Sequence, residues 1–449
     1  MLGNIQECEG GNVYMKNVKI ALLGLGTVGC GVWKILHENG EEITKRSGYK
    51  VEIAKVLVRN ANKKRGVDIP DSVITTDFND ILNDDSIKIV VEVMGGIEPA
   101  REYMLQAMSK KKHIVTANKM LLATGGDEVF KKADEEGVMF NYEASVAGGI
   151  PIIQAVNESL TANKVESLYG IINGTTNFIL SKMELEGSKF DDVLKEAQDM
   201  GYAEADPTSD IEGFDAQYKL AILSSLSFGT KIDVEKVYRE GITKISDIDM
   251  QYAKDFGMVI KLLAIAKEIN GRLELRVHPT MIPETHPLAN VYDSFNAVFV
   301  KGNAVGDLMF YGRGAGELPT GSAVVSDVIA LLRNDIDTEN PIPVEKNNLW
   351  KKEIMPMADV QSRYYLRITV SDKPGVLADI TAILGKNSVS LKSVIQRGEV
   401  KHKGDDITLV LVTHNTIERE LQNSINLIKN LEAVKSIDSL IRIEDFEEK

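Results

Sequence analysis

A glycine-rich turn near the start of the chain narrows the folds open to it. Residues 18–36 read VKIALLGLGTVGCGVWKIL: a short apolar run, glycines in the order GxGxxG at Gly24, Gly26 and Gly29, then apolar residues at helical spacing. Glycine is what a strand-to-helix turn requires when backbone must approach a pyrophosphate at a helix N-terminus. Any tight turn of this kind also suits glycine, so the context has to decide. Behind the triplet, VEIAKVLV, IKIVVEV, HIVTAN and VMFNYEAS read as short buried strands. They alternate with helical patterns such as VGCGVWKILHENG and PAREYMLQAMSKKK. That alternation predicts a parallel sheet covered on both faces, with the glycine turn as a dinucleotide site.

The fold class expected is therefore α/β, with a Rossmann-type doubly wound parallel sheet over residues 16–147. Residues 148–316 mix strand readings (SLYGIING, ELRVHPTMI, AVFVKGNAV) with a long helical reading through FDAQYKLAILSSLSFG, and predict an α+β domain. SAVVSDVIALLRN, within 317–338, reads as a helix returning to the first domain, and 339–362, with DTENPIPVEKNN, as a linker. In 363–449, YYLRITV puts Tyr364, Leu366, Ile368 and Val370 on one face. After the turn DKPG, a helical stripe holds Val376, Leu377, Ile380, Ile383 and Leu384. Two more strands, a helix and a last strand complete a ferredoxin-like βαββαβ order. Residues 1–15 have no period and read as an N-terminal extension.

Composition narrows the functional classes. A length of 449 residues suggests two to four domains, and the net charge of −14 argues against a general nucleic-acid binder. Apolar stretches stay far short of the roughly 20 residues of a membrane helix. The first residues have neither the basic start nor the apolar core of a secretory signal. Cys8 and Cys30 are the only cysteines, so no disulfide framework is expected, and a reducing cytoplasm is the default compartment.

Individual residues carry more. A carboxylate on the ribose 2′-hydroxyl is expected roughly 20 residues past the glycines. The second strand ends instead in Val58-Arg59-Asn60, with Lys63, Lys64 and Arg65 following. Cations there suit a 2′-phosphate, which favours NADP(H) and leaves NAD(H) open; a merely solvated loop is the bland alternative. Lys119 closes HIVTANK at the carboxyl end of a predicted parallel strand, where open sheets bind ligands, and it also suits plain surface charge. Asp215 and Lys219 are spaced i, i+4. They form either a surface pair worth about 0.2–0.5 kcal/mol or a lysine poised for proton transfer by the apolar run that follows it. No histidine has metal-ligand spacing, and no serine nucleophile motif is present.

Taken together, these segments resemble the homoserine dehydrogenases, in the monofunctional form that carries a C-terminal ACT domain. The resemblance rests on GLGTVG, VVEVMGGIEPA, HIVTANK, YEASVAGGIPII, INGTTNFIL, GYAEADP, GFDAQYKLAIL, EGITKI and YGRGAGELPTGSA, in family order over roughly 16–335, and on DKPGVLADITAIL for the ACT part. No amino-acid-kinase segment precedes them, so the fused kinase form is not expected. The resemblance implies reversible NAD(P)H-dependent reduction of L-aspartate 4-semialdehyde to L-homoserine, in threonine, methionine and isoleucine biosynthesis. It makes Lys219 the proton carrier, Lys119 an assisting residue between nicotinamide and substrate, and Asp215 a partner of both substrate and Lys219. Glu204, Gly174 and Thr175 join Asp215 in the implied substrate site. Gly24, Gly26, Thr27, Val28, Gly29, Arg59, Thr116, Lys119, Gly201, Gly314 and Gly316 form the implied cofactor site.

A structural sodium ion is implied on backbone carbonyls at Glu143, Val146, Gly148 and Ile150. L-Threonine is the implied effector, and a homodimer or homotetramer the implied assembly, with dimerisation through the 148–316 domain. A catalytically silent amino-acid or nucleotide sensor on the same fold, or another Rossmann oxidoreductase of diaminopimelate type, stands as the alternative.

Overall fold

A computed structural model describes residues 16–334, 350–397 and 406–446. The expected N-terminal extension, Cys8 and the first part of the expected linker lie outside the described residues. The chain divides into two compact units, one of residues 1–154 with 315–349, the other of 155–314 with 350–449. Among the described residues no helix is long and apolar enough to cross a membrane.

In the first unit, β1 (Lys16–Leu23), β2 (Tyr49–Leu57), β3 (Ile74–Thr75), β4 (Ile87–Glu92), β5 (His113–Thr116) and β6 (Phe140–Asn141) form one sheet. Its order is β3-β2-β1-β4-β5-β6 and every pairing is parallel. This is the doubly wound order expected from the alternation, reversing direction at β1/β4. Ile20, Leu22, Ile89 and Val91 are fully buried, as continuous apolar strands of a sheet covered on both faces should be. Only Phe140–Asn141 of VMFNYEAS is strand; the rest turns at Glu143–Ser145. The returning helix, Glu317–Arg333, packs Val324, Val328 and Leu331 into the core that holds Ile20 and Leu22.

The second unit carries β7 (Val165–Ile171), β8 (Met258–Ile269), β9 (Arg272–Pro283), β10 (Phe295–Gly302) and β11 (Gly306–Arg313). They are followed by β12 (Gln361–Ser371), β13 (Leu391–Arg397), β14 (Asp406–Thr413) and β15 (Val434–Ile443). The sheet order is β11-β10-β7-β8-β9-β15-β12-β14-β13. Its last four strands run in the order fourth, first, third, second of the βαββαβ module, which is the ferredoxin-like arrangement. Tyr364, Leu366, Ile368 and Val370 face a core with Ile380, Leu384, Leu421 and Ile425. Leu377 corrects the expected stripe, because it is exposed. One residue past Val376, it turns about 100° off the buried arc.

The expected linker is also revised from Trp350 onward. Trp350 N donates to Gly229 O, Glu353–Ile354 pairs with β9, and Lys352 reaches Glu268 at 2.7 Å. Met355 is buried, so this stretch is docked by apolar contact and strand pairing.

Candidate active site

The nucleotide turn divides its glycines by task. Gly24 sits at φ +106°, and a Cβ there would come within 3.0 Å of Val93 O. A Cβ on Gly29 would lie 2.4 Å from Gly24 O. Gly26, which caps the Thr27–Glu38 helix, is exposed, and a Cβ there would meet nothing within 4 Å. The open side of the turn is therefore at Gly26 and Thr27, at a helix N-terminus with no acidic residue in its first turn. Val28 is half-buried beside it. Arg59 is exposed just past β2, while Arg65 folds back onto the carbonyls of Asn60, Ala61 and Lys63.

The carboxyl ends of β4 and β5 hold a residue that sequence reasoning missed. Glu92 is fully buried and accepts from Met94 N at 2.8 Å and from the Thr116 hydroxyl at 2.6 Å. Burial pushes its carboxyl up, against the pull of these donors. Thr116 thus spends its hydroxyl on Glu92. Asn118 caps the next helix by accepting from Leu121 N and donates to Gly96 O, which sets Lys119 as that helix's first residue, half-buried. A carboxylate closing the apolar run Ile89-Val90-Val91 was the available signal for Glu92.

In the turn at 143–150, both carboxylate oxygens of Glu143 accept main-chain amides, from Ile153 at 2.9 Å and Gln154 at 2.7 Å. Ala147 and Gly148 are both left-handed, and Val146, Gly148 and Ile150 are buried. Among the described residues no group of three or more His, Cys, Asp or Glu is placed to hold a metal ion.

The second unit brings Asp215 and Lys219 together on the Phe214–Phe228 helix, both buried. Lys219 Nζ donates to Asp215 Oδ2 at 2.6 Å and to Ile172 O at 2.8 Å, just beyond β7. Asn173 donates to the same Asp215 oxygen at 2.9 Å and to Asp210 Oδ1 at 2.7 Å. Burial and the Asp215 charge push the Asp210 carboxyl up, while the Asn173 amide pulls it down. Thr175 donates to Tyr202 O at 2.7 Å, and Gly174 lets the helix it opens approach Ser294 O, 2.8 Å from where a Cβ would sit.

Other expected residues stand apart from this network. Glu204 is exposed in the turn that follows Gly201, itself exposed and left-handed. Gly314 lies against the Asn296 amide, where a Cβ would fall 1.3 Å from Oδ1, and Gly316 takes φ +125° at the start of the returning helix. Asn173 and Asp210 were not singled out from the sequence. An asparagine directly after a buried strand and before a helix was the signal for the first.

Three family models match in succession: "Homoserine dehydrogenase, NAD binding domain" over residues 24–143, "Homoserine dehydrogenase" over 151–329 and "ACT domain" over 364–433. A homoserine dehydrogenase of Bacillus subtilis (strain 168) is 42% identical over 96% of this chain and 99% of its own length. The chain belongs to the homoserine dehydrogenase family. A second relative, from Synechocystis, is 46% identical over 95% of this chain and 99% of its own. The crystal structure of a homoserine dehydrogenase from Thiobacillus denitrificans superposes with a TM-score of 0.89 at 47% identity, covering 96% and 99% of the two chains. A hyperthermophilic archaeal homoserine dehydrogenase solved in complex with NADPH has a TM-score of 0.60 at 28% identity, over 70% of this chain and 97% of that one. Membership in the homoserine dehydrogenase family makes the chain an oxidoreductase acting on a CH–OH group, with a nicotinamide-nucleotide domain and an ACT domain.

Proposed function

We propose that the chain interconverts L-aspartate 4-semialdehyde and L-homoserine, with Lys219 carrying the proton. The observation that carries this reading is the buried Lys219–Asp215 pair, a cation held beside a carboxylate where water is excluded. When bound, NADPH supplies the hydride and NADP⁺ takes it back in oxidation. As the aldehyde carbon gains hydride, its C=O π pair passes to oxygen, and Lys219 gives that oxygen a proton. In oxidation the neutral amine takes the hydroxyl proton. Asp215 holds Lys219 in place, and the acidic groups around it, with Glu204, suit the ammonium of an amino-acid substrate. Lys119 assists with positive charge at the carboxyl edge of the nucleotide sheet.

The turn shaped by Gly24 and Gly29 would hold the pyrophosphate on its open side at Gly26 and Thr27, and exposed Arg59 supports a preference for a 2′-phosphate. The carbonyls of Glu143, Val146, Gly148 and Ile150 would hold a structural sodium ion. This is supported by the successive left-handed residues at Ala147 and Gly148, and by a Glu143 side chain already committed to amides. The ACT domain supports feedback by L-threonine, the end product of one branch of the biosynthesis. The edge strand β11, with exposed Met309 and Tyr311, supports assembly of copies into a dimer or tetramer. A biosynthetic enzyme of this kind would work in the cytoplasm.

The test is NADPH consumption by purified protein with L-aspartate 4-semialdehyde, with and without L-threonine. Lys219→Ala is expected to cut kcat by roughly 10²–10⁴-fold while the dissociation constant for NADPH holds. Near-normal turnover in that variant overturns the assignment.

A further inference from the structure

The Asn173 amide has a donor and acceptor pattern that fixes its orientation. Oδ1 accepts from Thr176 N at 2.8 Å and from the Thr176 hydroxyl at 2.9 Å, capping the Gly174–Glu186 helix. Nδ2 spends its two hydrogens on Asp210 and Asp215. A flipped amide would turn its oxygen on two carboxylates and its NH₂ on an amide donor, so only one orientation is satisfied. The residue is 5% exposed, so water does not replace these bonds.

The three groups come from different elements. Asn173 follows β7, Asp210 lies on the short Thr208–Ile211 helix, and Asp215 on the first turn of the Phe214–Phe228 helix. Asp215 Oδ2 takes bonds from both Asn173 and Lys219. Two neighbouring carboxylates repel, and without a donor between them they share a proton or move apart. The first outcome removes an anion from the ammonium site, and the second draws Lys219 away with Asp215.

We propose that Asn173 is a positioning residue for the dehydrogenase reaction: its amide bridges Asp210 and Asp215, keeps both available as anions to a substrate ammonium, and fixes the carboxylate oxygen that holds Lys219. This rests on the reading of Asp215 and Lys219 given above.

The experiment separates bridging from capping. Asn173→Ser keeps a side-chain acceptor for the helix cap and loses both amide donors, whereas Asn173→Ala loses both functions. In L-homoserine oxidation both variants are expected to lose at least about tenfold in kcat and to raise KM for L-homoserine, with KM for NADP⁺ held within about twofold. Tm should fall less in Asn173→Ser, which keeps the helix cap, than in Asn173→Ala. In an Asp215→Asn background, Asn173→Ser should cost less than about twofold more. A kcat within about twofold of wild type in Asn173→Ser, a kinetic loss that tracks Tm, or an undiminished loss in the Asp215→Asn background overturns the proposal. Near-normal turnover of both Asp215→Asn and Lys219→Ala overturns the underlying reading and the proposal with it. Loss in those two but not in Asn173→Ser overturns the proposal alone.

Discussion

An i, i+4 Asp–Lys pair on a helix is worth about 0.2–0.5 kcal/mol when exposed, and such a pair is rarely a site. Burial changes what Asp215 and Lys219 mean. Two charges taken from water lose several kcal/mol of solvation each, which mutual attraction only partly returns, so stability does not explain their presence, whereas the proton transfer proposed for Lys219 would. The choice between a surface pair and a poised lysine was open in the sequence because spacing carries no information on what packs over the helix. Arg59 poses the opposite question, since it is exposed and among the described residues no ion pair holds it. If it receives a 2′-phosphate, Arg59→Ala should raise KM for NADPH by roughly tenfold, the usual loss for one charge-assisted contact of about 1.4 kcal/mol, and leave KM for NADH unchanged. Steady-state kinetics with both cofactors check this, and an unchanged NADPH/NADH ratio removes Arg59 from the site.

At the scale of elements, the glycines of the first turn and helix have separable jobs. Gly31 and Gly321 let the Thr27–Glu38 and Glu317–Arg333 helices cross closely, since a Cβ on Gly31 would lie 2.0 Å from Glu317 O and one on Gly321 would lie 2.7 Å from Gly31 C. Gly31→Ala should therefore destabilise the protein by about 1–3 kcal/mol, the cost of overpacking, seen as a lower Tm. Gly26→Ala, with open space at its Cβ, should leave Tm nearly unchanged and raise KM for the nucleotide, because the methyl stands where a pyrophosphate approaches. Equal Tm losses in the two would refute the division. The doubly wound sheet was legible because its strands are continuous apolar runs separated by helical periods. The β8–β9 hairpin was not read, although Asn270 and Gly271, both left-handed, form the two-residue turn that signals one. Lys261 within MVIKLLAIAKEI breaks the apolar run, yet it is fully buried and donates to Val291 O at 3.1 Å.

Across the second unit as a whole, the ACT module continues the catalytic sheet through β9 and β15, which pair at Thr280 with Arg442 and Met281 with Ile443. Buried charges fasten the seam. Arg442 binds Glu418 at 2.8 Å and Glu240 at 3.0 Å, and Arg367 binds Asp249 at 2.8 Å. Thus the outward face of β12, which the alternation of YYLRITV left unassigned, is buried at Tyr365 and Arg367 and half-buried at Arg363 and Thr369. The pairs across the seam were not legible, because partners more than 100 residues apart (202 for Arg442 and Glu240, 118 for Arg367 and Asp249) leave no local pattern. The tail beyond β15 adds a titratable contact. Phe446 stacks on His286, ring centroids 3.6 Å apart, and His286 Nδ1 accepts from Leu288 N at 3.2 Å, which requires that nitrogen unprotonated. Burial lowers the His286 pKa from 6.5 to about 4, with Asp307 and Glu444 opposing the shift. A depressed folded pKa means stability that is complete above the unfolded value and lost as pH falls through the folded one. His286 should therefore stabilise the protein fully above about pH 6.5, with the contribution declining toward about pH 4. His286→Asn keeps an acceptor for Leu288 N and does not titrate in this range, so other groups cancel in the comparison. The Tm advantage of wild type over this variant should be largest near neutral pH and shrink on acidification, and a pH-independent gap would show that His286 does not titrate in the fold.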